Sequence, residues 1–78
     1  MKIPMVAVFD KKTGLYDNPF AVRHIGEAVR EWDIVRKDEK TRIGKNPEDF
    51  ELYQVGEYDD QVGKFNNLET QLHLASGI

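Results

Sequence analysis

The sequence predicts an α+β fold in which one helix covers a small, mostly antiparallel sheet of four strands, in the order β-β-α-β-β. Three observations indicate this fold. Apolar residues crowd the first ten positions, a helical repeat of apolar residues follows, and apolar and polar residues alternate near the end of the chain. A chain of 78 residues has room for one small core, so we expect a single domain over residues 1–78.

The first two strands are predicted to form a hairpin within residues 2–22. The first of them is apolar on both faces, which is typical of a strand that lies inside a sheet. The turn sequence Asp-Lys-Lys-Thr-Gly follows and ends at Gly14, which can adopt a positive φ. The second strand is predicted to be irregular, because Asn18-Pro19 interrupts it.

The covering helix is predicted over residues 25–38. Apolar residues recur there at i, i+3, i+4, i+7 and i+10, which places them on one side of a helix: Ile25, Ala28, Val29, Trp32 and Val35. Two starting points remain open. Asn18 with Pro19 at the first helical position is one N-terminal signal. His24 directly before the periodic run fits the spacing better, so we favour a start near residue 25.

The second half of the chain predicts a helical turn and two further strands. A solvated connector over residues 36–45 leads to Asn-Pro and two acids, a sequence that favours a single helical turn. Residues 51–58 predict the third strand and residues 59–64 a hairpin loop. The alternation of apolar and polar residues from Leu68 to Leu74 predicts the fourth strand.

One helix of about four turns can cover only one face of such a sheet. Some apolar residues of the first and third strands must then point to the other face. An apolar sheet face left in water is unusual for a monomer. We therefore expect a homodimer that packs through this second face.

The composition excludes several kinds of chemistry. The chain has no cysteine, which rules out disulfides, thiolate metal sites and a cysteine nucleophile. Its two histidines, His24 and His73, belong to no catalytic or metal-binding motif. Gly63 and Glu69 have the spacing of an EF-hand loop, but the apolar Val62 occupies a ligand position. We therefore predict a protein that is not an enzyme and uses neither a cofactor nor a metal.

No part of the sequence predicts contact with a membrane. No apolar run approaches the roughly 20 residues that a membrane span needs, and the N-terminal Met-Lys-Ile-Pro does not open a signal peptide. We expect the protein to work in a reducing, intracellular compartment.

The net charge of −3 conceals two segments of opposite sign. Residues 1–45 hold ten Lys and Arg against seven acids, whereas residues 46–78 hold one Lys against seven acids. Arg23, Arg30 and Lys37 are seven residues apart, which would align them along one side of a helix. A basic band that continues into the connector predicts contact with DNA phosphates. Its residues are Arg23, Arg30, Arg36, Lys37, Lys40, Arg42 and Lys45.

Two alternatives to this interpretation remain open. Neighbouring acids such as Glu27 and Asp33 could neutralise the band and leave an ordinary salt-paired helix. The aromatic residues of the strands could stack on unpaired bases or could pack in the core. The residues concerned are Tyr16, Phe20, Tyr53 and Tyr58.

Several blocks of the sequence resemble a known family. They are VFDKKTGLY at residues 8–16, Pro-Phe at 19–20, GEAVR at 26–30 and GKNPEDFELYQVGEYDD at 44–60, followed by Gly63. In order and spacing, over about residues 5–65, they are similar to the small nonstructural protein of gokushoviruses. These are icosahedral single-stranded DNA phages of the Microviridae.

The resemblance implies a viral, non-capsid protein that acts in the cytoplasm of the host bacterium. It also implies a link to DNA replication, as a counterpart of the small protein that shifts duplex replication toward single-stranded genome synthesis. We therefore expect a DNA-binding regulator whose partner is single- or double-stranded phage DNA. The alternative is a protein-interaction module that engages a host or viral replication protein, through its sheet edge or acidic C-terminal half, without contacting DNA.

Overall fold

The computed structural model describes all residues, 1–78. The chain forms a small antiparallel sheet that curls into a half-barrel, together with two short helices. The elements are β1 (Lys2–Asp10), β2 (Leu15–Tyr16), β3 (Phe20–Ala21), α1 (Ile25–Val35), α2 (Arg42–Lys45), β4 (Phe50–Asp59) and β5 (Lys64–Ser76). A single 3-10 turn, Pro47–Asp49, precedes β4 where the sequence predicts a helical turn.

The sheet has the strand order β2-β1-β4-β5, and β3 also pairs with β1. The predicted place of the first strand inside the sheet is therefore confirmed. The predicted irregular second strand is confirmed, since Asn18-Pro19 divides it into two short strands, β2 and β3, which raise the strand count to five. Pro19 lies between them, and proline cannot donate a backbone hydrogen bond to a neighbouring strand.

The helix α1 begins at Ile25, as the periodicity predicts, with His24 at the N-cap. It ends at Val35, three residues before the predicted end. The side chain of Thr41 explains this end, because its hydroxyl donates to the carbonyl oxygens of Val35 (3.1 Å) and Asp38 (2.7 Å). These bonds turn the chain away from the helix axis.

The predicted solvated connector contains the second helix, so two short helices accompany a structure that is mostly sheet, and the predicted α+β fold with one covering helix describes it only loosely. Thr41 caps α2, since its hydroxyl oxygen accepts the Gly44 N–H at 2.9 Å. This segment folds back because the side chain of Ile43 packs against the core. Neither helix has the length and apolar character that crossing a membrane requires.

The core lies between the helices and one face of the sheet. Its buried members are Val6, Val8, Ala28, Trp32, Phe50 and Leu52. The Trp32 indole N–H donates to the carbonyl oxygen of Ser76 at 2.8 Å, which fastens α1 to the end of β5. Burial of these side chains is the main stabilising term for so small a chain.

A β-bulge decides which side chains of β4 face away from the helices. The pairing of β1 with β4 shifts between Met5 and Val6, which leaves Val55 without a partner on β1. The extra residue reverses the alternation along β4. As a result, Tyr53 and Tyr58 both lie on the sheet face opposite to the helices, here called the open face, with residues 3, 5, 7 and 9 of β1.

The edge of the sheet on the β5 side is long and unpaired. β5 has 13 residues, most of them exposed, and its outer edge meets no other strand. Its pairing with β4 is itself interrupted between Asn67 and Leu72. The longest dimension of the molecule is 39 Å.

Candidate nucleic-acid interface

Four aromatic side chains lie in contact on the open face and are called the ring cluster: Phe9, Tyr16, Tyr53 and His73. Their centroids are 4.8 Å apart for Phe9 and Tyr16, 5.8 Å for Tyr16 and Tyr53, and 5.3 Å for Tyr53 and His73. The sheet register brings them together, because Phe9 pairs with Tyr16 and Tyr53 pairs with His73. Cross-strand aromatic contacts of this kind stabilise a sheet while leaving ring faces accessible.

Two further rings, the ring pair Tyr58 and Phe65, lie on the same face. These residues are cross-strand partners, and their ring centroids are 4.9 Å apart. Phe65 is 69% exposed, which is unusual for so large an apolar side chain. Tyr53 and Tyr58 pair with Ala7 and Ile3, which are four positions apart on β1, so the ring pair lies about 13 Å along the strand from the ring cluster.

A carboxylate holds β5 against β4 beside the ring cluster. Oε1 of Glu51 lies 2.7 Å from Nε2 of His73 and 2.9 Å from Oγ of Ser76, and Nζ of Lys11 lies 3.5 Å from Oε2. A catalytic triad requires the two nitrogens of one imidazole to contact the carboxylate and the serine separately. Here the same atom, Nε2, contacts Glu51 and also lies 3.4 Å from Ser76. The group therefore fits a structural clamp.

The clamp changes the acidity of its carboxyl group. Partial burial raises the pKa of Glu51, but the hydrogen bonds from His73 and Ser76 and the nearby charge of Lys11 outweigh it, so the pKa lies below its ordinary value of 4.5. The folded chain thus favours the ionised form more than the unfolded chain does. This contribution to stability is present above the ordinary pKa and is lost as the pH falls through the lower, folded value.

Replacing Glu51 with glutamine is expected to lower the free energy of unfolding by about 1 kcal/mol at pH 7, because charge-assisted hydrogen bonds are lost. The difference between wild type and variant should shrink as the pH falls below the ordinary pKa of 4.5 and through the lower, folded value, because Glu51 then becomes protonated in the folded as well as the unfolded wild type. Urea unfolding at pH 7, 5, 4 and 3, followed by Trp32 fluorescence, measures both quantities. The exposed Glu69→Gln is the control. A pH-independent difference between wild type and Glu51→Gln would contradict the clamp.

The seven predicted DNA-binding residues do not line one side of a helix. Arg23 precedes α1, and Lys37 follows its end, so only Arg30 of the three residues spaced by seven lies within the helix. Arg36 and Lys37 both bind the carboxylate of Asp33, at 2.6 and 3.3 Å. Their hydrogen bonds, first from Arg36 and then from Lys37, hold the pKa of Asp33 below its ordinary value.

The guanidinium group of Arg42 is also paired. It forms ion pairs with the carboxylates of Asp10 and Asp17 and lies over the Phe50 ring, 4.9 Å from the ring centroid. The open alternative of neutralisation by acids thus describes three of the seven cations: Arg36, Lys37 and Arg42. The other four carry no ion pair and are exposed: Arg23, Arg30, Lys40 and Lys45.

One of the four unpaired cations lies beside the open face. Arg23 lines a shallow hollow together with Ile3 and Ala21, two residues whose register places them on that face. Arg30 and Lys45 belong to the helices, and Lys40 lies in the loop between them. DNA binding by the seven cations remains a prediction.

The aromatic residues divide between the two faces. Tyr16, Tyr53 and Tyr58 lie on the open face, as base stacking would require, whereas Phe20 pairs with Val6 on the helix face.

Sequence reasoning missed three members of the aromatic surface: Phe9, Phe65 and His73. Phe65 and His73 lie on opposite sides of the interruption in β5 between Asn67 and Leu72, so alternation along the strand could not show that they share a face. Only the register with β4 shows which rings they meet.

A family model described as "Phage ORF5 protein" matches residues 3–78 of the chain. The chain belongs to this phage protein family. Searches of curated proteins and of solved structures gave no match. Membership in the ORF5 family agrees with the viral part of the resemblance found in the sequence, and the gokushovirus assignment remains a prediction.

Proposed function

We propose that this ORF5 family protein is a non-enzymatic DNA-binding protein that holds single-stranded phage DNA on its open face. The observation that supports this proposal best is the arrangement of six aromatic rings, the ring cluster and the ring pair, on one face of the sheet. By covering single strands in the host bacterial cytoplasm, it would favour the switch from duplex replication to single-stranded genome synthesis, the role that the gokushovirus resemblance implies.

Stacking is the interaction that such a surface offers. A base stacked on an aromatic side chain contributes about 1–3 kcal/mol, regardless of its sequence. Tyr16 and Phe65, at opposite ends of the surface, are 43% and 69% exposed and can receive bases. In a duplex the bases are already stacked and paired, so a sheet face cannot reach them. The surface therefore favours single strands.

Few cations lie near the rings, so the dependence of DNA affinity on salt concentration can be predicted quantitatively. Arg23 lies beside the open face and Lys12 lies in the turn after β1, both without an ion pair. Two phosphate contacts predict a slope of about −1.4 when log K is plotted against log salt for a single strand. Contacts from all seven predicted cations would give a slope of about −5.

Replacing Tyr16 and Phe65 together with alanine is expected to weaken single-strand binding at least tenfold, because two stacking surfaces are lost. The matched variant Arg30→Glu with Lys37→Glu, on the helix side, should change the affinity less than threefold. Fluorescence anisotropy with one labelled 20-mer, single-stranded and as duplex, at several salt concentrations measures affinity, strand preference and salt slope. Circular dichroism verifies that each variant is folded.

The opposite pattern of effects would assign binding to the basic band. In that case the charge reversals abolish binding, the ring variant retains it, and the salt slope is steep. If the wild type binds no DNA at low salt, the protein-interaction module that engages a replication protein replaces the proposal. The acidic β4–β5 hairpin, with Glu57, Asp59 and Asp60, would then be the first surface to test.

We also propose that the protein acts as a homodimer. Since the open face is assigned to DNA, the free edge of β5 is the more suitable dimer surface, and a long exposed edge strand readily pairs with another. Light scattering at micromolar concentration should give twice the chain mass of 9.0 kDa. Thr70→Pro, which removes a backbone donor from the middle of β5, should give the monomer mass. A wild-type mass of one chain would refute the dimer.

A further inference from the structure

A hollow of about 290 Å³ lies on the open face between the ring cluster and the ring pair. Met5, Gly56 and Asn67 form one cross-strand row through it, and Pro19 and Phe65 also line it. Because Gly56 has no side chain, the protein surface forms a depression at the centre of this row. A side chain cannot replace it easily, since a Cβ there would lie 2.6 Å from the Asn66 carbonyl oxygen.

The lining of the hollow disfavours a phosphate. It contains no cation, and the side chains of its Glu57 and Asn66 point to the opposite face, because Glu57 pairs with both Pro4 and Asn66. Apolar side chains surround the rest, apart from the amide of Asn67. The volume is slightly below the roughly 300 Å³ at which pockets for drug-sized molecules begin. A small, flat ring system with polar edges suits these walls.

The amide of Asn67 is available for recognition. The register places this residue on the open face beside Met5 and Gly56. Its side chain is exposed and takes part in none of the side-chain hydrogen bonds of the protein. An asparagine amide matches the donor and acceptor of adenine, N6 and N7.

We infer that this hollow is a subsite for one unstacked nucleobase of a bound single strand, packed against Phe65 and recognised by the side-chain amide of Asn67. The inference rests on the proposed function and adds a base preference to it. Stacking on the two ring groups is tolerant of sequence, whereas adenine can both pair with the amide through N6 and N7 and cover more of the Phe65 ring than the smaller pyrimidines do.

Equilibrium binding of oligo-dA, oligo-dT and oligo-dC of equal length tests this subsite. We expect the wild type to bind oligo-dA about tenfold more tightly than either pyrimidine oligomer. Asn67→Leu keeps the size of the side chain and removes the amide, so its preference should fall below threefold. Gln71→Leu, which removes an exposed amide from the same strand outside the hollow, should keep the wild-type preference.

Nuclear magnetic resonance identifies the side chains that contact the DNA, independently of the comparison of affinities. In a titration of 15N-labelled protein with oligo-dA, the side-chain amide signals of Asn67 should shift more than those of Gln71. If Asn67→Leu is unfolded by circular dichroism, Asn67→Ala replaces it in the binding series.

The outcomes separate this inference from the proposed function. Equal affinities for the three oligomers, or an undiminished preference in Asn67→Leu, overturn the base subsite while single-strand binding and its dependence on Tyr16 and Phe65 stand. If the wild type binds none of the oligomers, both are overturned.

Discussion

Replacing Trp32 with alanine is expected to lower the free energy of unfolding by about 4 kcal/mol. The indole is 4% exposed and packs in the core between α1 and the sheet, so its removal leaves a cavity. The hydrogen bond to the carbonyl oxygen of Ser76 is lost as well. Small domains have total stabilities near 5 kcal/mol at the low end of the usual range, so the variant should be partly unfolded at 37 °C.

Two further variants separate the contributions of the indole. Trp32→Phe retains most of the ring and removes the hydrogen bond, for an expected loss of about 1–2 kcal/mol. Ile34→Ala, two residues along the same helix and 59% exposed in the wild type, should change stability by less than about 0.5 kcal/mol. Urea unfolding followed by far-ultraviolet circular dichroism applies to all three. Equal midpoints for Trp32→Ala and Ile34→Ala would show that the indole does not anchor the helix.

Replacing Gly44 with alanine is expected to destabilise the chain by about 3 kcal/mol. A Cβ at this position would lie 1.9 Å from the carbonyl oxygen of Asp38. Neither this carbonyl group nor the backbone of residue 44 can move away without disturbing the turn. The same carbonyl accepts hydrogen bonds from the N–H and hydroxyl of Thr41, which hold α2 in place. The variant should therefore also release Ile43 from the core.

The same substitution at Gly26 provides a control of opposite sign. A Cβ there would meet nothing within 4 Å, and the residue lies inside α1. Because alanine favours a helix more than glycine does, Gly26→Ala should stabilise the chain by about 0.5–1 kcal/mol. Thermal unfolding measures both changes. Similar melting temperatures for the two variants would show that the close contact at Gly44 is relieved without cost.

The elements that depend on local chemistry could be predicted from the sequence. The periodic apolar residues placed the start of α1 at Ile25, and Gly14 and Gly63 marked two turns in which each has a positive φ. The alternation in the last strand placed Leu72 and His73 on opposite faces, as the pairing shows. Each of these features is set by residues close in the chain, so their spacing is sufficient to predict them.

The candidate site could be predicted only in its components. The sequence offered four aromatic residues as possible stacking residues, and the register selected Tyr16, Tyr53 and Tyr58 while placing Phe20 on the helix face. The basic band was harder to predict, because some of its cations form salt bridges with acids that are distant in the sequence. Such side chains meet only in the folded chain. Asp10 and Asp17, which pair with Arg42, are the example.

By itself, the sequence determined a small domain without cysteine chemistry, with a central first strand, an amphipathic helix near residue 25 and opposite charges in its two halves. The tertiary structure alone decided the second helix and the shared face of Tyr53 and Tyr58. The bulge at Val55 is the physical reason for the last of these. Along one strand the side chains alternate, but an unpaired residue reverses that alternation, and only pairing with the neighbouring strand shows where it lies.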